Sequence, residues 1–180
     1  MPEPSVDVRA RIVELVSLTP YFERFRTRLD GLGDDEYLWE PTPGCLTAQP
    51  GEIGPFVTGG PQRRGPLTTI AWRICHIGDF LREERNWRWL GREPELRDRD
   101  IRHPMNALPA IGYVEASWAA WERLVASLTP AEMWALIGPV AGPYAESERI
   151  GFVIHIMDEL IHHAAEVGVM RDLYAATVQA

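Results

Sequence analysis

Three polar residues near the end of the chain have the spacing of metal ligands on a helix. His155, Glu159 and His163 follow one another at intervals of four residues, so they lie along one face of any helix that contains them. Imidazole nitrogen and carboxylate oxygen suit Zn²⁺, Ni²⁺ and Fe²⁺, and His76 is the only histidine of another long helical stretch. Two histidines and one glutamate leave coordination positions open for water or substrate, which is the composition of a catalytic metal site.

The same residues have simpler interpretations. A Glu–His pair four residues apart is common on exposed helix faces, where it forms only a surface ion pair. A single histidine such as His76 is more often a core residue with satisfied hydrogen bonds. His162 and His163 are both within reach of Glu159, so the spacing alone does not decide which of them binds. The Glu-x-x-His spacing is also that of di-iron carboxylate proteins, but those need several more inward glutamates than the second helix offers.

Five other side chains are candidates for the surroundings of such a site. Asp79 or Glu166 is placed to orient a ligand imidazole through a hydrogen bond. Arg171 is a candidate for binding a carboxylate or phosphate group of a substrate or thiol cofactor. Trp72 and His155 are candidates for lining the pocket. For the charged residues, an ordinary salt bridge between helices is the simpler interpretation.

Amphipathic helices must position all of these residues. Apolar residues recur with a 3.6-residue period, and no stretch has a convincing strand pattern. We predict four long helices, over residues 5–29, 66–90, 110–128 and 147–177. Thr68 or Thr69 can cap the second helix and Gly91 can end it, while Thr129 and Glu132 have the spacing of a capping box for a short extra turn. The expected fold is all-α: one four-helix-bundle domain over residues 1–180.

The connection between the first two predicted helices is unusual. Residues 40–66 contain six Pro and six Gly in 27 positions, a density that no regular element tolerates. A connection of this length is either a surface excursion or an active-site lid. It would also let the first two helices lie in other than a simple up-down order.

Composition excludes several kinds of chemistry. All 18 basic residues are Arg and there is no Lys, so Schiff-base chemistry and a P-loop lysine are ruled out. A net charge of −8 disfavours nucleic-acid binding. Two cysteines are too few for a disulfide scaffold, no stretch has a signal-peptide pattern, and none is apolar enough to span a membrane. We therefore expect a soluble, cytoplasmic protein that binds neither nucleic acid nor membranes.

Three stretches of the sequence resemble the DinB superfamily, in the metal-dependent branch that includes mycothiol-dependent maleylpyruvate isomerase and bacillithiol S-transferase. The matching stretches are DDEYLWEP (34–41), TTIAWRICHIGDFLRE (68–83) and HIMDELIHHAAEVGVMRDLY (155–174). Together they touch all regions except the linkers, so the resemblance extends over essentially the whole chain. The resemblance implies a four-helix bundle with a divalent ion held by three side chains near one end. The ligand positions of the family fall on His76, Glu159 and His163, which favours His163 over His162.

The resemblance also implies a class of function. The expected protein is a divalent-metal-dependent enzyme, with Zn or Ni as the metal and Fe as a third choice. It would activate a low-molecular-weight thiol or water for transfer to, or isomerisation of, a small electrophilic substrate. The alternative is a non-catalytic metal-binding or dimeric, stress-associated bundle, and a hydrolase is the weaker enzyme class. Relatives are often dimers, so a homodimer is expected, although no interface can be named from the sequence.

Overall fold

The computed structural model describes residues 20–49 and 67–178, and within these ranges it is helical with no β-strand. The α-helices in chain order are α1 (Pro20–Arg28), α2 (Asp34–Tyr37), α3 (Ile70–Arg82), α4 (Glu84–Trp89), α5 (Ala107–Ala126), α6 (Pro130–Met133) and α7 (Arg149–Val178). Short 3₁₀ helices cover Asp98–Asp100 and Pro139–Tyr144. The predicted all-α fold is confirmed. The predictions for residues 5–19 and for most of the Pro/Gly-rich connection, residues 50–66, lie outside the described residues.

Helix α3 lies at the centre of the bundle. It packs against both α5 and α7, and α7 in turn packs against α1. Every residue from Ile70 to Leu81 is buried except Arg73. Two polar side chains of this helix, His76 and Asp79, are therefore held inside the protein, where each must find partners or carry an energetic cost.

The start of α3 agrees with its predicted cap. The Thr69 hydroxyl accepts a hydrogen bond from the backbone N–H of Trp72 at 3.1 Å. Backbone hydrogen bonds between Leu46 and residues 67 and 69 tie the beginning of the long connection to this point. The first turn of α3, which precedes the candidate ligand His76, is thus fixed from two directions.

The second predicted helix does not run unbroken to residue 90. It ends at Arg82, Glu83 has extended backbone torsions, and α4 begins at Glu84. A distant carboxylate explains the break: Asp98 accepts a hydrogen bond from the Glu84 N–H at 2.9 Å and so caps α4. The Asn86 amide donates a hydrogen bond to the carbonyl of Phe80 at 2.6 Å and so stabilises the junction between α3 and α4. Gly91, which has a φ of 76°, ends α4 as predicted.

Distant contacts also shift the other boundaries. Helix α5 begins at Ala107, three residues before the predicted start, because the Asp34 carboxylate accepts a hydrogen bond from the Ala107 N–H at 2.8 Å. The capping box of Thr129 and Glu132 is confirmed. The connection between α6 and α7 contains the 3₁₀ helix Pro139–Tyr144. None of the helices within residues 20–49 and 67–178 has the length and apolar character needed to cross a membrane.

Candidate metal centre

Helices α3 and α7 bring the three predicted ligands together. One potential ligand atom from each of His76, Glu159 and His163 lies within 4.8 Å of the other two. The Glu159 Oε2 and His163 Nε2 atoms are 3.2 Å apart, and the His76 and His163 ring centroids are 4.8 Å apart. Ligand atoms around a tetrahedral zinc ion are roughly 3–3.5 Å from one another. Small side-chain rotations would therefore complete three-fold coordination.

The environment of His76 suits a ligand. Its side chain is buried, and its Nδ1 atom has no hydrogen-bond partner among the described residues. Burial, reinforced by the nearby His163 and Arg73, lowers the pKa of His76 to about 3. The imidazole is therefore neutral at physiological pH and keeps a lone pair for an ion. Burying a polar ring that packing leaves incompletely bonded costs about 1–3 kcal/mol.

Glu166 lies against one ring nitrogen of His163. Its Oε2 atom lies 2.6 Å from His163 Nδ1, and an ionised carboxylate can only accept a hydrogen bond. A His163 ring that donates its Nδ1 proton to Glu166 has its lone pair on Nε2, the atom that faces Glu159. A carboxylate that orients a ligand imidazole in this way is the usual outer partner of a metal-bound histidine. The predicted orienting role fits Glu166.

Arg73 is a functional candidate that the sequence reasoning missed. Its Nη1 atom lies 3.1 Å from Glu166 Oε2 and 3.0 Å from His163 Nδ1, and its guanidinium lies over the Trp72 ring at 4.9 Å. Arg73 thus holds Glu166 against His163. A signal was available in the sequence, because residues 73 and 76 are one helical turn apart and share a face of α3.

A second group of possible ligands, His162, His163 and Glu166, overlaps the first. The His162 side chain is 62% exposed, and its Nε2 atom is 3.4 Å from Glu166. The His163 Nδ1 atom already lies 2.6 Å from Glu166 Oε2 and 3.0 Å from Arg73 Nη1. The geometry therefore favours the group that contains His76 and uses His163, rather than His162, beside it.

One family model, that of the DinB superfamily, matches residues 21–167. The chain belongs to the DinB superfamily. Comparisons with curated proteins and with solved structures returned no match. Metal binding is general in this family, and the His/Glu group between α3 and α7 has the composition that such a site requires.

A cavity of about 280 Å³ opens beside the three candidate ligands of this DinB-superfamily protein. Trp72 lines it and stacks on His76, with ring centroids 4.8 Å apart and planes inclined by 26°. His155 also lines it, one turn before Glu159 on α7. The structure therefore places both residues where the sequence suggested. The remaining wall includes Phe80, Glu83 and Arg85.

The structure places Asp79 in a different cluster. Both carboxylate oxygens lie 3.0 Å from His103 Nε2, and Oδ1 accepts a hydrogen bond from the Tyr113 hydroxyl at 2.6 Å. Gly78 makes this possible, because a Cβ atom there would overlap the Tyr113 ring. The expectation that Asp79 orients a ligand imidazole is thus corrected. Its carboxylate instead contacts His103, a residue of the segment between α4 and α5.

Arg171 also has a structural position. It makes a two-point salt bridge with Glu36, at 2.8 and 3.1 Å, and donates to the backbone carbonyls of Arg28 and Asp30. These contacts fasten α7 to the α1–α2 region, and Arg171 does not line the cavity beside His76. The substrate-binding role considered for Arg171 is replaced by this link between helices, and the arginines at the cavity are Arg73 and Arg85.

Proposed function

We propose that this DinB-superfamily protein is a divalent-metal-dependent enzyme that activates a low-molecular-weight thiol or water for attack on a small electrophile. The outcome would be transfer of the nucleophile or, where the thiol leaves again, isomerisation. The observation that carries the proposal is the convergence of His76, Glu159 and His163 at the wall of a cavity. Three protein ligands facing open space are typical of catalytic rather than closed structural metal sites.

A divalent ion bound there would lower the pKa of a coordinated thiol or water and so supply a nucleophile near neutral pH. The other side chains have supporting roles. Glu166 keeps the His163 proton on Nδ1, and Arg73 neutralises Glu166. Trp72 and Phe80 shield part of the cavity from water.

Glu83 is the carboxylate placed to take up the proton that the nucleophile releases. It lines the same cavity, and burial raises its pKa, with Arg85 acting in the opposite direction. A carboxylate with a raised pKa is a better proton acceptor than an exposed one. Zn²⁺ and Ni²⁺ are the expected ions for a site of two imidazoles and one carboxylate, followed by Fe²⁺.

Metal content tests the ligand assignment. The wild-type protein, His163→Ala, Glu159→Ala and His162→Ala would be purified without affinity tags that bind metal, incubated with Zn²⁺ or Ni²⁺, desalted and measured by mass spectrometry of the metal. We expect one ion per chain in the wild type, loss of the ion in the first two variants and retention in His162→Ala, because that side chain is mostly exposed. Full metal content in His163→Ala or Glu159→Ala would show that the assignment is wrong.

Turnover tests the reaction class. The metal-loaded and metal-free proteins would be assayed with glutathione, mycothiol or bacillithiol and an electrophile such as 1-chloro-2,4-dinitrobenzene, and with activated esters for attack by water. We expect a rate that depends on the metal and is lost in His163→Ala. Metal binding without any turnover would instead support the non-catalytic metal-binding alternative.

A further inference from the structure

A second, larger cavity of about 670 Å³ lies next to the first turns of α7. Two residues, Arg85 and His155, line both this cavity and the one beside the candidate metal ligands. The two spaces are therefore neighbours, with these two side chains in the walls of both. The larger one, called here the aromatic groove, is lined chiefly by large apolar side chains, among them Trp89, Trp134, Tyr144, Phe152 and Ile154.

The rings of the aromatic groove form a continuous surface. The Trp89 ring lies 4.8 Å from that of Phe152 and 5.8 Å from that of Tyr144, measured between centroids. The guanidinium of Arg85 lies 5.5 Å from the Trp89 ring centroid and 5.6 Å from that of Phe152. The volume falls within the ~300–1,000 Å³ typical of small-molecule sites. Offset and edge-to-face contacts with such rings favour a planar aromatic ligand.

The charges of the aromatic groove indicate an uncharged ligand. Its two charged side chains, Arg85 and Glu148, are of opposite sign, and Arg85 is already paired with Glu83 at 3.1 Å. An anionic group inside the groove would lose hydration without finding an unpaired cation. Glu148 is exposed to water, which weakens its attraction for a cationic group. An apolar aromatic group would lose little and would gain contact with the rings.

We propose that the aromatic groove binds the uncharged aromatic body of the electrophilic substrate. The reactive end of that substrate passes between Arg85 and His155 to the cavity at His76, Glu159 and His163. This inference rests on the proposed function for its reactive end, whereas binding of the aromatic body needs no metal. The substrate class is thus a small aromatic compound with an electrophilic side chain, rather than a short aliphatic acid.

A pair of fluorescent probes tests the groove by itself. N-phenyl-1-naphthylamine is uncharged, and 8-anilino-1-naphthalenesulfonate is the same aromatic system with a sulfonate. With the protein as purified and again with Zn²⁺ added, we expect the uncharged probe to bind about tenfold more tightly, a difference of about 1.4 kcal/mol. Equal affinities, or tighter binding of the sulfonate, would overturn the proposed ligand class.

Two substitutions on α7 locate the probe. Ile154 lines the groove and is 45% exposed, while Ile161, two turns later, is 47% exposed and does not line it. Ile154→Asp should weaken binding of the uncharged probe at least about tenfold, and the matched Ile161→Asp should leave it unchanged. Because both side chains are partly exposed, neither change should prevent folding. Equal effects of the two substitutions would place the probe elsewhere and contradict the proposal.

Hydroxamates test whether the groove leads to the metal. On the Zn²⁺-loaded protein, phenylalkyl hydroxamates should bind at least about tenfold more tightly than acetohydroxamate and should displace N-phenyl-1-naphthylamine. Ile154→Asp should remove that advantage. If the phenyl tail adds no affinity while acetohydroxamate binds, the groove is not connected to the site and the inference fails alone. If no hydroxamate binds although N-phenyl-1-naphthylamine does, the proposed metal function is wrong. This inference then fails as well, because the reactive end of the substrate depends on the metal.

Discussion

Helix α3 contributes one side chain to each of two histidine–carboxylate clusters. One cluster faces a cavity, and in the other the histidine and the carboxylate are buried against each other. The open cluster comprises His76, Glu159 and His163 and faces a cavity. The closed cluster comprises Asp79, His103 and Tyr113. In the closed cluster the His103 and Asp79 side chains are 0% and 1% exposed and hydrogen-bonded to each other.

The difference lies in what surrounds the polar side chains. In the closed cluster the Asp79 carboxylate accepts hydrogen bonds from both neighbours, and burial beside it raises the pKa of Tyr113, so the hydroxyl stays protonated and donates. In the open cluster His76 keeps a buried Nδ1 atom without a hydrogen-bond partner among the described residues. Both clusters pair histidine with a carboxylate. What distinguishes the candidate site is that its three possible ligand atoms converge at the wall of a cavity.

The largest expected effect is that of opening the closed cluster. Asp79→Ala leaves His103 and Tyr113 buried without their shared acceptor and should lower the free energy of unfolding by about 3–5 kcal/mol. Urea unfolding of the metal-free protein measures this. The same variant should bind Zn²⁺ within a few-fold of wild type, because Asp79 belongs to the other cluster. A full loss of metal in a folded Asp79→Ala protein would show that metal binding depends on the closed cluster.

A smaller effect is expected from Gly78. In Gly78→Ala the new methyl group overlaps the Tyr113 ring, so Tyr113 must move away from Asp79, and we expect a loss of about 1–3 kcal/mol of unfolding free energy. The matched control is Gly112→Ala on α5, where a Cβ atom meets nothing within 4 Å. Equal stabilities of the Gly78 and Gly112 variants would show that the Tyr113–Asp79 contact contributes little.

The smallest effect concerns the open cluster. Glu166→Gln can still accept a hydrogen bond from His163 but loses the charge that holds Arg73, so Zn²⁺ affinity should fall about tenfold, or about 1.4 kcal/mol. Asp172→Asn, on the exposed side of the same helix, changes the net charge equally and should leave affinity unchanged. Competition titration with a chromogenic chelator measures both. Equal losses of Zn²⁺ affinity in the two variants would show that the net charge, and not the position of Glu166, explains the effect.

The open cluster could be predicted from the sequence because the spacing of its residues along a helix is a local property. Glu159 and His163 are one helical turn apart, and a 30-residue helix places them on one face whatever surrounds it. His76 followed from being the only histidine in the other long helical stretch. Arg73 was within reach of the same reasoning, but nothing in its spacing pointed to Glu166, because that contact depends on how α3 packs against α7.

The closed cluster and the break after Arg82 could not be predicted in this way. His103 reaches Asp79 from a charged, proline-containing segment without periodicity, and Asp98 caps α4 from the same segment. The stretch from Arg82 to Glu84 contains neither Gly nor Pro. Its geometry is imposed by distant partners, which helical periodicity does not reveal.

A crystal structure of the Zn²⁺-loaded protein, with the ion located by anomalous scattering, would show whether His76, Glu159 and His163 bind the metal. We expect one strong peak about 2.0–2.2 Å from a ring nitrogen of His76, a Glu159 carboxylate oxygen and His163 Nε2. We also expect Glu166 to stay on His163 Nδ1 and the ion's remaining position to face the cavity. A peak between His162 and Glu166, or no peak near His76, would contradict the proposed metal site.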